Sequence, residues 1–131
     1  STIMAHENGC HSILIDKKSV LTGGKDAHIR KWNALTFEQT KAIPAHNFAV
    51  YQLISFPEED ILVSASRDKS LKIWELNSLN FIVKIDAKVG GHSHSVNELI
   101  KLNGNQFASC GDDGKIKVWS FEKMVGQEIK E

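Results

Sequence analysis

The sequence predicts an all-β protein assembled from three copies of one four-stranded antiparallel unit, and three observations predict it. First, a His, a Ser or Thr, an Asp and a Trp recur three times in one order: His6, Thr22, Asp26, Trp32; His46, Ser64, Asp68, Trp74; and His92, Ser109, Asp113, Trp119. Second, each Asp stands six residues before its Trp and each hydroxyl ten before. The tryptophans are 42 and then 45 residues apart, a period that marks an array of small β units. Third, short runs rich in Ile, Leu and aromatics alternate with Gly, Pro, Asn and Asp clusters, as strands alternate with turns.

Taken in order, the runs 12–16, 51–56 and 97–102 each read as a strand near the start of a copy. The turns Lys25-Asp26-Ala27-His28, Arg67-Asp68-Lys69-Ser70 and Asp112-Asp113-Gly114-Lys115 each lie between two further strand-like runs. There Asp can bond its own backbone and Gly relieves a positive φ, so each is a hairpin turn. In the middle copy the four strands fall at about 49–56, 61–66, 70–75 and 80–86, and no segment carries helical periodicity.

The recurring quartet has a chemical logic. A buried indole N–H needs an acceptor and a buried carboxylate needs donors. A chain running Trp, hydroxyl, His, Asp satisfies all four groups and ties the strands of a unit to its turn. The same residue types could make a nucleophilic triad, but an active site needs one such constellation beside a cleft, and this chain carries three without an oxyanion-hole loop. No catalytic residue is therefore assigned. His92 and His94 lack a third ligand at zinc spacing. Asp112 and Asp113 lack the alternating oxygens of a calcium loop. Gly23-Gly24-Lys25 lacks the full phosphate-loop spacing and precedes a strand. No metal and no cofactor is expected.

Sixteen basic and sixteen acidic side chains cancel over the 131 residues. The balance is nearly flat along the chain, with six basic and four acidic residues in 1–45 and five and six in both 46–91 and 92–131. That argues against a nonspecific nucleic-acid or acidic-membrane binder. No apolar run reaches membrane-spanning length and the start lacks the basic and apolar regions of a secretory signal, so a cytoplasmic or nuclear setting is expected. The first residue, Ser1 instead of Met, suggests a processed or cut chain. Cys10 aligns with Val50 and Val96, and Cys110 with Gly23 and Ala65, so both cysteines are expected to be buried.

Aligned, the copies read LTGGKDAHIRKWN, LVSASRDKSLKIWE and ASCGDDGKIKVWS, each about two dozen residues after an Ala-His or Gly-His pair. This resembles the WD-repeat β-propeller family over essentially the whole chain. The departures are Asn33, Glu75 and Ser120 in place of the Asp after Trp, and Ala5 and Ala45 in place of Gly. The resemblance implies one segment, 1–131, of three blades with repeats at about 5–45, 46–91 and 92–131, and makes the twelve quartet residues the family's structural tetrads. It also implies that ligands sit on the narrow face. There the corresponding residues are Gly9, His11 and Lys25 in the first repeat, Ala49, Tyr51 and Arg67 in the second, and Ser95, Asn97 and Asp112 in the third. Of these, His11, Lys25, Tyr51, Arg67, Asn97 and Asp112 are the candidate partner-binding residues, and Arg67, Lys25 and His11 suit an acidic or phosphorylated peptide.

The function expected is a noncatalytic protein-interaction scaffold. The alternatives are a regulatory or targeting propeller fragment of a larger multidomain enzyme and a nucleic-acid-binding propeller. Three blades fall short of the four to eight of closed propellers, which leaves two apolar flanks. The outer repeats keep Ile13, Leu14, Leu99 and Ile100 where the middle one has Leu53 and Ile54, with no charged cap. Thr2-Ile3-Met4-Ala5-His6 resembles Ala42-Ile43-Pro44-Ala45-His46, and 126–131 is expected to supply the outer strand of the third blade. Hence the flanks are expected to meet other blades of a longer propeller, or a second copy in a homodimeric six-bladed ring.

Overall fold

Alternating apolar residues and Asp-centred turns produce three meanders in a computed structural model that describes residues 1–121 and 129–130. The first sheet comprises β1 (Cys10–Asp16), β2 (Ser19–Gly24), β3 (His28–Asn33) and β4 (Gln39–Pro44). The second comprises β5 (Val50–Phe56), β6 (Ile61–Ser66), β7 (Leu71–Glu75) and β8 (Phe81–Ile85). The third comprises β9 (Val96–Lys101), β10 (Gln106–Gly111), β11 (Ile116–Phe121) and β12 (Ile129–Lys130). Each sheet is antiparallel with its strands in chain order, which makes it one propeller blade. The three form an open, partial propeller. The expected outer strand at 126–131 is described only at β12, and the rest of that segment lies outside the described residues.

The turns between the second and third strands repeat one conformation. Ala27, Lys69 and Gly114 take φ of 68°, 76° and 77°, a left-handed geometry that costs a side chain strain and Gly nothing. Each is held by the tetrad Asp, whose Oδ1 accepts the backbone N–H two residues on: His28 at 3.2 Å, Ser70 at 3.0 Å and Lys115 at 3.1 Å. Two short 3-10 turns, Pro57–Glu59 and Ala87–Val89, were not legible as helix. Pro57 presets the first, and the Asp86 side chain caps the second by accepting from Lys88 N at 3.0 Å.

Every blade hides its faces only against its neighbours. One core lies between the first and second blades, around Leu21, Ile29, Val50, Leu53, Leu62 and Trp74. A second lies between the second and third, around Val63, Ile73, Leu99, Phe107, Trp119 and Phe121. β6 is consequently buried along its entire length. Among the described residues nothing covers the outer faces of the first and third blades, and the four flank residues divide accordingly. Leu14 and Leu99 enter the two cores, whereas Ile13 is 69% and Ile100 56% exposed.

The cysteines depart from expectation. Cys10 is exposed and Cys110 is only half-buried. The counterparts of Cys10, Val50 and Val96, are covered by an adjoining blade, whereas Cys10 stands at a bulge on the outer face of the first blade, where none adjoins. Alignment with buried residues transfers burial only when the neighbour transfers too.

Candidate partner-binding face

The tetrads are built as the side-chain chemistry requires. In the second blade His46 Nδ1–H donates to Asp68 at 2.9 Å, Ser64 donates to His46 Nε2 at 2.7 Å, and Trp74 Nε1–H donates to Ser64 Oγ at 2.9 Å. The first blade repeats this through Asp26, His6, Thr22 and Trp32 at 2.7, 2.8 and 2.9 Å. The third does so through Asp113, His92, Ser109 and Trp119 at 2.9, 2.8 and 2.9 Å. All three imidazoles are buried.

Burial by itself would raise the Asp68 carboxyl, but hydrogen bonds from His46 and Ser70 and the amide of Asn47 hold it well below the usual carboxylate range. Asp113 is likewise held down to about 2, against desolvation, by His92 and the amides of Lys115 and Ser93. Asp26 is lowered by His6 and Arg30, the latter an ion pair at 3.0 Å. Burial pushes His46 below its ordinary value, so the imidazole stays neutral and hydroxyl, ring and carboxylate keep one direction of donation. The hydroxyls are spent on indole and imidazole, an arrangement that fixes a turn.

What the turn fixes is the residue before each Asp. Lys25 N–H donates to Gly9 O at 2.8 Å, Arg67 N–H to Ala49 O at 3.0 Å, and Asp112 N–H to Ser95 O at 2.9 Å. The pairing register skips His11 between Cys10 and Ser12, Tyr51 between Val50 and Gln52, and Asn97 between Val96 and Glu98. Each is the extra residue of a β-bulge, a device that turns a side chain out of the ladder. One end of each blade therefore carries a bulge residue beside a turn residue.

The nine residues do not form one uniform surface. A cleft of about 530 Å³ between the first and second blades is lined by His11, Lys25, Ala49, Tyr51 and Arg67 together with Asn8, Ala27, Asn47, Phe48 and Asp26, whose carboxylate is already bonded to His6 and Arg30. The His11 and Tyr51 rings meet edge to face at 5.6 Å, and the Arg67 guanidinium lies 5.4 Å from the Phe48 ring centroid. Neither Lys25 nor Arg67 has a carboxylate partner among the described residues. In the third blade Asn97 Nδ2 donates to Asp112 Oδ1 at 2.6 Å, so this pair satisfies itself apart from the cleft. Phe48 escaped the sequence reading; an exposed aromatic directly after the tetrad His and Asn47 is the signal that could have found it. A larger hollow, about 770 Å³, lies on the outer face of the first blade. Its lining is largely apolar and includes Ile3, Met4, Ile13, Val20 and Phe37.

The fold defines a propeller-type module. The model of the WD domain, G-beta repeat, matches residues 37–75 and 84–120, more than half of the chain, which belongs to the WD-repeat family. An uncharacterized WD repeat-containing protein of Schizosaccharomyces pombe is 30% identical over 115 residues, covering 87% of this chain and 31% of that protein. The small ribosomal subunit protein RACK1 of Dictyostelium discoideum is 30% identical over 95 residues, 70% of this chain and 29% of that protein. The Polycomb group protein FIE1 of Oryza sativa subsp. japonica is 28% identical over 108 residues, with 80% and 23% covered. The chain thus spans less than a third of the length of these curated relatives. The structure of U3-55K superposes with a TM-score of 0.79 at 23% identity, covering 89% of this chain and 37% of that one. The computationally designed Ika4 protein also gives 0.79, at 24% identity, covering 99% and 75%. At these identities the likeness is one of fold.

Proposed function

We propose that this chain is a noncatalytic scaffold that binds a peptide segment bearing an acidic or phosphorylated residue in the cleft between its first and second blades. The observation that carries the reading is the pairing, in one cleft, of two cations without carboxylate partners, Lys25 and Arg67, with three rings, His11, Phe48 and Tyr51. Unpaired cations gain most from an incoming anion, and rigid aromatic walls supply contact area at small entropic cost. The three tetrads support the same reading, because each consumes its hydroxyl and imidazole in structure. The names of two relatives, a small ribosomal subunit protein and a Polycomb group protein, agree with a scaffold role, and a cytoplasmic or nuclear setting is part of this reading.

The test is fluorescence anisotropy with a panel of labelled peptides, each in acidic, phosphorylated and neutral versions. Binding of an acidic or phosphorylated version at least tenfold tighter than its neutral counterpart, weakened roughly tenfold by Arg67→Ala and by Tyr51→Ala, supports the assignment. Affinity unchanged by both substitutions would place the ligand elsewhere. Tighter binding of single-stranded oligonucleotides, with a steep loss of affinity as salt rises, would favour nucleic acid instead.

A further inference from the structure

The innermost strands of adjacent blades are joined by a repeating polar contact. Ser12 Oγ accepts the backbone N–H of Leu53 at 3.0 Å, and Gln52 Oε1 accepts the backbone N–H of Leu99 at 2.9 Å. The pairing register makes Ser12, Gln52 and Glu98 equivalent, and Ile13, Leu53 and Leu99 equivalent, since they oppose Thr22, Ser64 and Ser109. At each junction one blade thus supplies an acceptor to the amide of the next, capping an inner edge strand that would otherwise show bare donors. The third blade holds its own acceptor, Glu98, on an exposed face. The first blade holds the corresponding donor, Ile13 N–H, on the other.

The apolar surfaces match in the same way. On the face of the third blade that no blade covers, Ile116 is 76% and Ile100 56% exposed; their equivalents in the second blade, Leu71 and Ile54, pack into the core between the second and third blades. On the open face of the first blade stand Ile13 and Phe37, 69% and 40% exposed. Their equivalents in the second blade, Leu53 and Leu79, are buried against the first. Phe37 and Leu79 also share the same left-handed turn, each donating its N–H four residues back, to Asn33 O and Glu75 O at 2.8 Å. One open face has the pattern of a blade's leading side and the other that of its trailing side.

We infer that the two open faces bind each other between two copies of this chain, closing a six-bladed ring by a twofold axis. Each junction repeats the internal ones, with Ile100 and Ile116 of one copy against Ile13 and Phe37 of the other, and Glu98 accepting from Ile13 N–H. The occupant is a second copy because the complement of each face is present on the same chain, in the register of two interfaces already formed. Six blades lie within the four to eight of closed propellers, and no unpaired junction remains.

The test is light scattering of the whole chain over a dilution series, with Ile13→Arg and Ile116→Arg alongside and circular dichroism to check that each stays folded. The expected mass is twice 14.6 kDa. Either substitution should weaken the dimer at least a hundredfold, and mixing the two variants should restore a 1:1 pair through the one junction left intact. Glu98→Leu should weaken it about tenfold while Glu98→Gln, still an acceptor, holds. A monomer at all concentrations would overturn the inference and assign the faces to blades outside this chain. A mass growing beyond two copies would overturn closure. Dissociation by only one of the two Arg variants would overturn the leading-to-trailing arrangement.

Discussion

His46 and Asp68, 22 residues apart in the chain, are joined at 2.9 Å, and the bond holds a neutral imidazole against a carboxylate kept ionised. Both groups sit below their ordinary values in the folded state, so unfolding takes up protons. For His46 the stability is fully present above 6.5 and is lost as pH falls below it. For Asp68, and for Asp26 and Asp113, it is present above 3.8 and is lost as pH falls further. The Tm should be flat from pH 7 to 8, decline below about 6.5 and fall again below about 4, as thermal scans across buffers will read. A Tm that rises on acidification would contradict the tetrad's protonation state.

Ser64 Oγ serves two buried partners at once, Trp74 and His46. Ser64→Ala strands an indole N–H and a ring nitrogen, and should cost about 2–4 kcal/mol in chemical denaturation. Ser64→Thr keeps the oxygen, as Thr22 does in the first blade, and should cost less than half as much.

Gln52 reaches across a blade junction to the amide of Leu99. Gln52→Leu removes the acceptor and should cost about 1–3 kcal/mol, with the Leu99 amide among those losing hydrogen-exchange protection. No loss of protection there would show that the cap is dispensable.

Lys69 holds a φ of 76° where the third blade has Gly114 at 77°. Lys69→Gly should stabilise the chain by up to about 1 kcal/mol, the left-handed penalty outweighing glycine's greater freedom when unfolded. Gly114→Lys should destabilise it by a similar amount. Equal melting temperatures for all three proteins would remove strain from the account of this turn.

The sequence by itself determined the blade. The spacing of His, hydroxyl, Asp and Trp is local enough that one unit's hydrogen bonds follow from its own residues, and the four strands of the middle copy lie within a residue of where the apolar runs place them. Lys25, Arg67 and Asp112 follow from the resemblance to the WD-repeat family, and the backbone N–H of each is held at its turn by Gly9 O, Ala49 O and Ser95 O respectively. Tertiary structure alone decided what lies between blades. That His11, Tyr51 and Asn97 are bulge residues, that Phe48 supports Arg67, that Asn97 and Asp112 satisfy each other, and that Cys10 is open to solvent all depend on pairing register or on a neighbour. Repeats with one alignment can have different surroundings, because a residue's burial belongs to the adjoining blade as much as to its own.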